Sequence, residues 1–220
     1  MTRRTTRETG QAAPIYVAMV TGLLFLALAF FAVGQAGATR NGAQSGADAA
    51  ALAAAQESRD DFGIELLANF FTPGYLDDVF NGSPIGRFVG CEEAEHLAEQ
   101  NDVQLKSGEG GSGCRTANGG RWGFTVDVET QQTMGDSILP GTEDKRAEAT
   151  ATAIVVPRCE FRPAVEDGDE GEDSEPEEGE EEEPSLPGEL ICNGNPLDLD
   201  PENLVLPDMS VLFSVRLAED

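Results

Sequence analysis

Hydrophobic and polar positions fall along this chain in three different patterns. The first is a continuous apolar run. Ala12 to Val33 holds nineteen apolar residues in twenty-two, broken by Pro14, Thr21 and Gly22, and Gly10 to Thr39 contains no charge. As a helix rising ~1.5 Å per residue, this run is roughly 33 Å long, enough to cross the ~30 Å hydrocarbon layer of a bilayer. A helix is the single-segment structure that satisfies its own backbone there. Pro14 sits in the first turn, where a missing N–H costs least.

The second pattern is alanine-rich. No proline occurs from Asn41 to Asn69, and residues 47–55 read Ala-Asp-Ala-Ala-Ala-Leu-Ala-Ala-Ala. This propensity predicts that the membrane helix continues outward, against a cost of ~1 kcal/mol each for Gly42 and Gly46. Ala43, Ala47, Ala50 and Ala54 recur at i, i+4, i+7 and i+11, which makes a seam of small side chains on one face. Such a seam permits close approach of another element. Two occupants fit it: this protein's own outer domain, or helices of the same kind in other subunits.

The third pattern has a period of two. Trp122, Phe124, Val126 and Val128 alternate with Thr125, Asp127 and Glu129. Ala147 to Val155 alternates with Glu148, Thr150 and Thr152, and Val211 to Leu217 alternates with Ser214 and Arg216. Each segment predicts a strand with one buried face. Before them, residues 70–90 read as a packed loop rich in Gly, Pro and aromatics, and Cys91–Asn101 as a short helix with Glu92, Glu93 and Glu95 in its first turn. Lys106–Gly120 is a glycine-rich loop without the Gly-Lys-Ser/Thr ending of a phosphate cradle. The predicted fold class is α+β: a long N-terminal helix, transmembrane and continuing outside, with a small antiparallel sheet packed on it in a pilin-like manner.

Charge then sets the orientation. Arg3, Arg4 and Arg7 precede the apolar run, opposed by Glu8. The part beyond residue 40 carries ten Lys+Arg against forty Asp+Glu, within a whole-chain charge of -27. The positive-inside bias predicts a cytoplasmic N-terminus and an extracytoplasmic C-terminal domain in a single-pass protein of the cell membrane. Two other export readings exist. Ala36-Gly37-Ala38 has the small-residue form of a signal cleavage site. Arg3-Arg4 resembles a twin-arginine signal, but Thr5-Thr6-Arg7 after it is not apolar. The acidic balance argues against nucleic acid as a partner, since phosphate contacts need clustered Lys/Arg.

Candidate chemistry is sparse. His96 stands without a Cys, His or Ser motif beside it, which suits a surface histidine. No nucleophile–base–acid set has a recognisable spacing, so no catalytic residue, metal ligand, cofactor or small-molecule substrate is assigned. Cys91, Cys114, Cys159 and Cys192 lie on the predicted outer side, where disulfides persist, and their spacing is too wide for a zinc site. Four cysteines allow three connectivities. We expect Cys91–Cys114, tying the short helix to the strand that follows, and Cys159–Cys192, closing a loop over the acidic stretch. Each would contribute ~3 kcal/mol on a loop-entropy basis. That stretch, Glu166 to Glu183, holds thirteen acids in eighteen residues. Nothing in it can be buried, so it reads as disordered.

A short basic start, one span, and a helix containing Gly-Ala-Gln-Ser-Gly-Ala-Asp-Ala-Ala-Ala-Leu-Ala-Ala-Ala-Gln (Gly42–Gln56) together resemble the TadE/TadG-like proteins of Flp (tight-adherence) pilus assembly. The resemblance covers about residues 8–60 and extends loosely to the strands at 122–157. It implies a pilin-like, single-span envelope protein of a type IV-related pilus or secretion system. One departure stands out. Taking Gly10 as a prepilin-peptidase glycine puts Ile15 at the fifth position beyond it, where such precursors carry glutamate. The chain therefore looks like an accessory component more than a filament subunit.

The expected organisation is a cytoplasmic basic segment (1–11), a transmembrane helix (12–38), an alanine-rich outer helix (39–70), an α+β domain (71–165 and 185–220) and an acidic loop (166–184). The expected function is a structural or accessory part of a Tad-type apparatus. It would act by helix packing and assembly, with the membrane and other pilus or secretion subunits, or further copies of itself, as partners. The alternative is an anchored binding module whose acidic loop holds cations or a basic partner.

Overall fold

The computed structural model describes residues 12–83, 86–106, 112–133, 141, 144–164 and 185–219. The N-terminal arginines, Gly10 and the acidic run from Glu166 to Glu183 lie outside them. The first element, α1, is one unbroken helix of 57 residues, Ala12–Ala68, about 86 Å long at the usual rise. Between 13 and 42 no side chain is buried. Burial begins at Ala43 and continues on one stripe through Ala47, Ala50, Ala54, Ser58, Phe62 and Leu66.

What covers that stripe comes later in the chain. α2 (Tyr75–Phe80) and α3 (Cys91–Gln100) follow α1. Then come β1 (Val103–Leu105), β2 (Cys114–Thr116), β3 (Gly123–Thr130), β4 (Glu148–Pro157), β5 (Cys159–Pro163), β6 (Gly188–Cys192) and β7 (Asn195–Pro196). A single-turn helix α4 (Met209–Leu212) leads directly into β8 (Phe213–Leu217). The main sheet is antiparallel in the order β1-β3-β4-β8, and β2 pairs with β3 as well. β5, β6 and β7 make a separate three-stranded sheet.

The period-two pattern is what aims the main sheet. In the β3–β4 register, Phe124, Val126 and Val128 face Ala153, Ala151 and Ala149, while Thr125, Asp127 and Glu129 face Thr152, Thr150 and Glu148. The first set joins the core with α1, and the second forms the opposite, polar face. β4 runs alongside α1 in the same direction. The Gln44 amide reaches the Thr150 carbonyl at 3.4 Å, and Ser58, further along α1, bonds Trp122, whose carbonyl accepts from the Val155 N–H.

Three elements differ from the sequence expectation. Residues 70–90 are not all loop, because Leu76, Val79 and Phe80 have a buried side and fold as α2. The last strand begins at Phe213 and not at Val211. Asp208 accepts from the Ser210 N–H at 2.8 Å and caps a helical turn, α4, at that point. The β5–β7 sheet is a further element. Its two longer strands are separated in sequence by the acidic run, but Cys159 and Cys192 face each other across the pair.

An aromatic cluster surrounds Trp122. Its ring lies 4.9 Å from Phe62 and 5.3 Å from Phe213, centroid to centroid, and Phe80 stacks on Phe213 at 5.3 Å. The indole N–H donates to Ser58 Oγ at 2.8 Å, and the Ser58 hydroxyl donates to the Arg87 carbonyl. A fully buried serine is thus satisfied on both sides, which is what makes its burial tolerable. The loop over the indole has to be glycine at 86, since a Cβ there would overlap the Trp122 ring. Gly46 answers a similar need on α1: a Cβ would meet Val103 Cγ2 at 2.5 Å. The glycine that weakens the helix locally is therefore the one that lets β1 approach it.

Trp122→Ala should cost about 3–5 kcal/mol, from lost transfer energy plus the cavity. Ser58→Ala should cost about 1–3 kcal/mol by leaving the indole N–H unpaired. Denaturant unfolding followed by circular dichroism measures both. A Trp122→Ala loss well below 1 kcal/mol would contradict this packing.

Candidate functional site

Three regions could carry function: the bare half of α1, the polar face of the main sheet, and the far end of the domain. The bare half is the largest. From Ile15 to Val33 its large side chains are exposed, Phe30 at 75 % and Leu23 at 67 % among them. This segment passes the length and hydropathy test of a membrane span, with none of its most apolar window covered by the rest of the chain. In water that exposure would be strongly unfavourable at ~25 cal/mol per Å2, whereas in lipid it carries no such cost.

The alanine seam belongs to the other half. Ala43, Ala47, Ala50 and Ala54 have no accessible surface. Ala47, Ala50 and Ala54 share one core with Val103, Val126 and Ala151 of this chain's own sheet and Ala94 and Ala98 of α3. Of the two occupants that fit the seam, the chain's own domain is the one in place. The reading in which these four side chains pack against other subunits is corrected accordingly, because a second helix cannot reach them while the sheet is folded. Small side chains were required here for an internal close approach.

The polar face holds the charged groups. Lys106 Nζ bonds Glu148 Oε2 at 2.6 Å, Arg146 pairs with Glu129 at 2.9 Å, and Arg115 pairs with Asp127, which also accepts from Thr150 Oγ1 at 2.7 Å. Lys106, Glu148, Arg115, Asp127 and Thr150, with Ser112, Gly113 and Cys114, line a shallow groove of about 440 Å3. The hydrogen bond to Glu148 holds the Lys106 ammonium above its ordinary value, against a smaller opposing effect of burial. Burial pushes the Asp127 carboxyl up, but hydrogen bonds from Thr150 and Arg115 and the charges of Arg115 and Lys106 outweigh it, and the net direction is down. At neutral pH the lysine keeps its proton and the aspartate has none to give. A second small groove lies where α1 leaves the domain, lined by Arg40, Asn41 and Gln44 beside Glu148 and Thr150.

His96 is exposed on α3 and contacts Glu93 at 3.3 Å and Gln100 at 2.8 Å. Among the described residues no three His, Cys, Asp or Glu side chains gather as a metal site. The cysteines are paired Cys91–Cys114 and Cys159–Cys192, with Cα separations of 5.8 and 4.0 Å. The first bridge ties the start of α3 to β2. The second locks β5 to β6 at the far end, and from that hairpin the acidic run leaves after Ala164 and returns before Pro187, whose carbonyl accepts from the Ala164 N–H at 3.0 Å. Sequence reasoning missed the Ser58–Trp122–Arg87 chain. Its one available signal was a serine on the apolar stripe of an alanine helix.

Residues 10–57 match the family described as putative Flp pilus-assembly TadE/G-like. The matched segment takes in the bare half of α1 and the alanine seam, and it ends one residue before Ser58. No curated protein and no solved structure matches the chain. A TadE/G-like segment on a membrane-span-like helix fits a pilus-assembly component.

The Asp127 network gives a signed expectation. A carboxyl whose folded-state pKa is depressed adds stability above its unfolded value and loses it as the pH falls through the folded one. Carboxyl NMR should therefore place the Asp127 midpoint below its ordinary 3.8, and Arg115→Ala or Thr150→Val should raise it. An unchanged midpoint in both variants would show that the network does not hold the charge.

Proposed function

We propose that this chain is a membrane-anchored structural or accessory component of a Tad-type pilus or secretion apparatus, acting by assembly and not by catalysis. The supporting observation is that the TadE/G-like match spans the change on α1 from bare to packed. Its described residues are unburied up to 42, and from 43 onward one face of them is covered by an α+β domain. On this reading residues 12–38 span the bilayer, the short basic segment at Arg3, Arg4 and Arg7 stays in the cytoplasm, and the sheet domain stands outside.

Because the seam is filled internally, contacts with other subunits fall to two surfaces. One is the bare helix within the membrane, where small residues such as Gly22 have open space beside them. The other is the outside of the domain. The paired cysteines fit an oxidising compartment. The β5–β6 hairpin that flanks the acidic run would then lie on the side of the domain away from the lipid.

Thiol labelling in intact cells tests the placement. Thr5→Cys should be protected from an impermeant maleimide, and Ser185→Cys should react. Reaction at residue 5 would reverse the orientation. Site-specific photocrosslinking from residues 22 and 29 should give products with other envelope subunits. A chain that crosslinks to lipid alone from both positions would leave the assembly role unsupported within the membrane.

A further inference from the structure

The outer edge of β8 is shaped to take one more strand. Two hydrogen bonds fix which of its backbone groups face inward: Arg158 N–H donates to the Leu212 carbonyl and Ala218 N–H to the Thr152 carbonyl, each at 2.8 Å. Positions 212, 214, 216 and 218 therefore turn toward β4, and the N–H and C=O groups of Val215 and Leu217 turn away from it. Among the described residues no backbone hydrogen bond reaches those outward groups. Leu217 is 38 % exposed beside them.

The charge at this edge is opposite to that of the chain. The whole sequence carries -27, but β8 presents Arg216, which stands opposite Ile154. Arg158, whose guanidinium reaches the Ser210 carbonyl at 3.0 Å, stands beside the start of the same strand. Neither arginine has a carboxylate partner among the described residues. An added strand thus meets free backbone groups, an apolar lip and two arginines held in no ion pair, of which Arg158 shares a surface pocket with Glu160 and Glu189.

We propose that this edge receives an extended, acidic segment of a partner subunit as an additional antiparallel strand. Its apolar residues would lie beside Val215 and Leu217, and its carboxylates against Arg216 and Arg158. The proposal rests on the assembly role above and names one contact within it. A second copy's β8 does not fit the direction. β8 is antiparallel to β4 and so runs back along α1 toward the bare helix. Two copies anchored side by side in one bilayer would bring their β8 strands together in parallel. The chain's own acidic run lacks apolar residues for the alternate positions.

Hydrogen exchange on the full chain tests this, comparing native membranes with the purified protein in lipid nanodiscs. The Val215 and Leu217 amides should exchange at least about tenfold more slowly in native membranes. Leu217→Pro removes an outward N–H without touching the pairing to β4, and Arg216→Glu reverses the charge. Each should abolish the protection at Val215 while the unfolding midpoint of Arg216→Glu stays at that of the native chain. Equal exchange in both settings, with crosslinks from residues 22 and 29 retained, would overturn the strand and leave the assembly role standing. Absence of those crosslinks together with equal exchange would remove both. Protection that maps by crosslinking to a second copy of this chain would overturn the acidic-partner assignment.

Discussion

The contact on which the rest of the structure depends is the close seating of the sheet on the alanine stripe from Ala43 to Ala55. Leucines along that stripe would hold the sheet away and leave Trp122 without its serine. Alanines bring β3 and β4 near enough for Ser58 to reach the indole and for Gly46 to admit Val103. The aromatic group of Phe62, Phe213 and Phe80 then closes around Trp122. The α+β domain is thus assembled on α1, on the part that follows the bare half.

This division explains why the two halves of a single helix look so unlike each other. The bare half carries large apolar side chains on every face, which is the composition of a segment solvated by hydrocarbon. The packed half is apolar on one stripe and bears Asp48, Glu57, Asp60 and Asp61 elsewhere. Between them no proline interrupts, and the glycines at 34, 37 and 42 stay helical. Their cost of ~1 kcal/mol each is small beside the hydrogen bonds that a break would expose at a membrane boundary.

Much of this was legible in the sequence, and the reasons are local. The span is announced by an unbroken apolar run, the alanine helix by its composition and the spacing of its seam, and α3 and the inward faces of β3 and β4 by periodicities of 3.6 or 2. The seam was visible as a seam, but its partner was not, because spacing reports a face and says nothing of what covers it. α2 was hidden among Gly, Pro and aromatic residues, and its apolar side has meaning only once Phe213 is beside it. β5 and β6 are too short to show a period, and their pairing spans the acidic run. The polar-face groove was not legible either. Its ion pairs join β1, β2, β3 and β4, and their proximity is a property of the register.

The continuity of α1 has a mechanical consequence. With no joint between the bare and domain-bearing halves, rotation of the bare half about its axis is passed to the sheet without slack. Each residue of an α-helix advances about 100°. The azimuth at which the domain points around the shaft is thus set by the number of residues between Val33 and Ala43, and one residue more or fewer would swing every outward surface to a new bearing relative to the bare half.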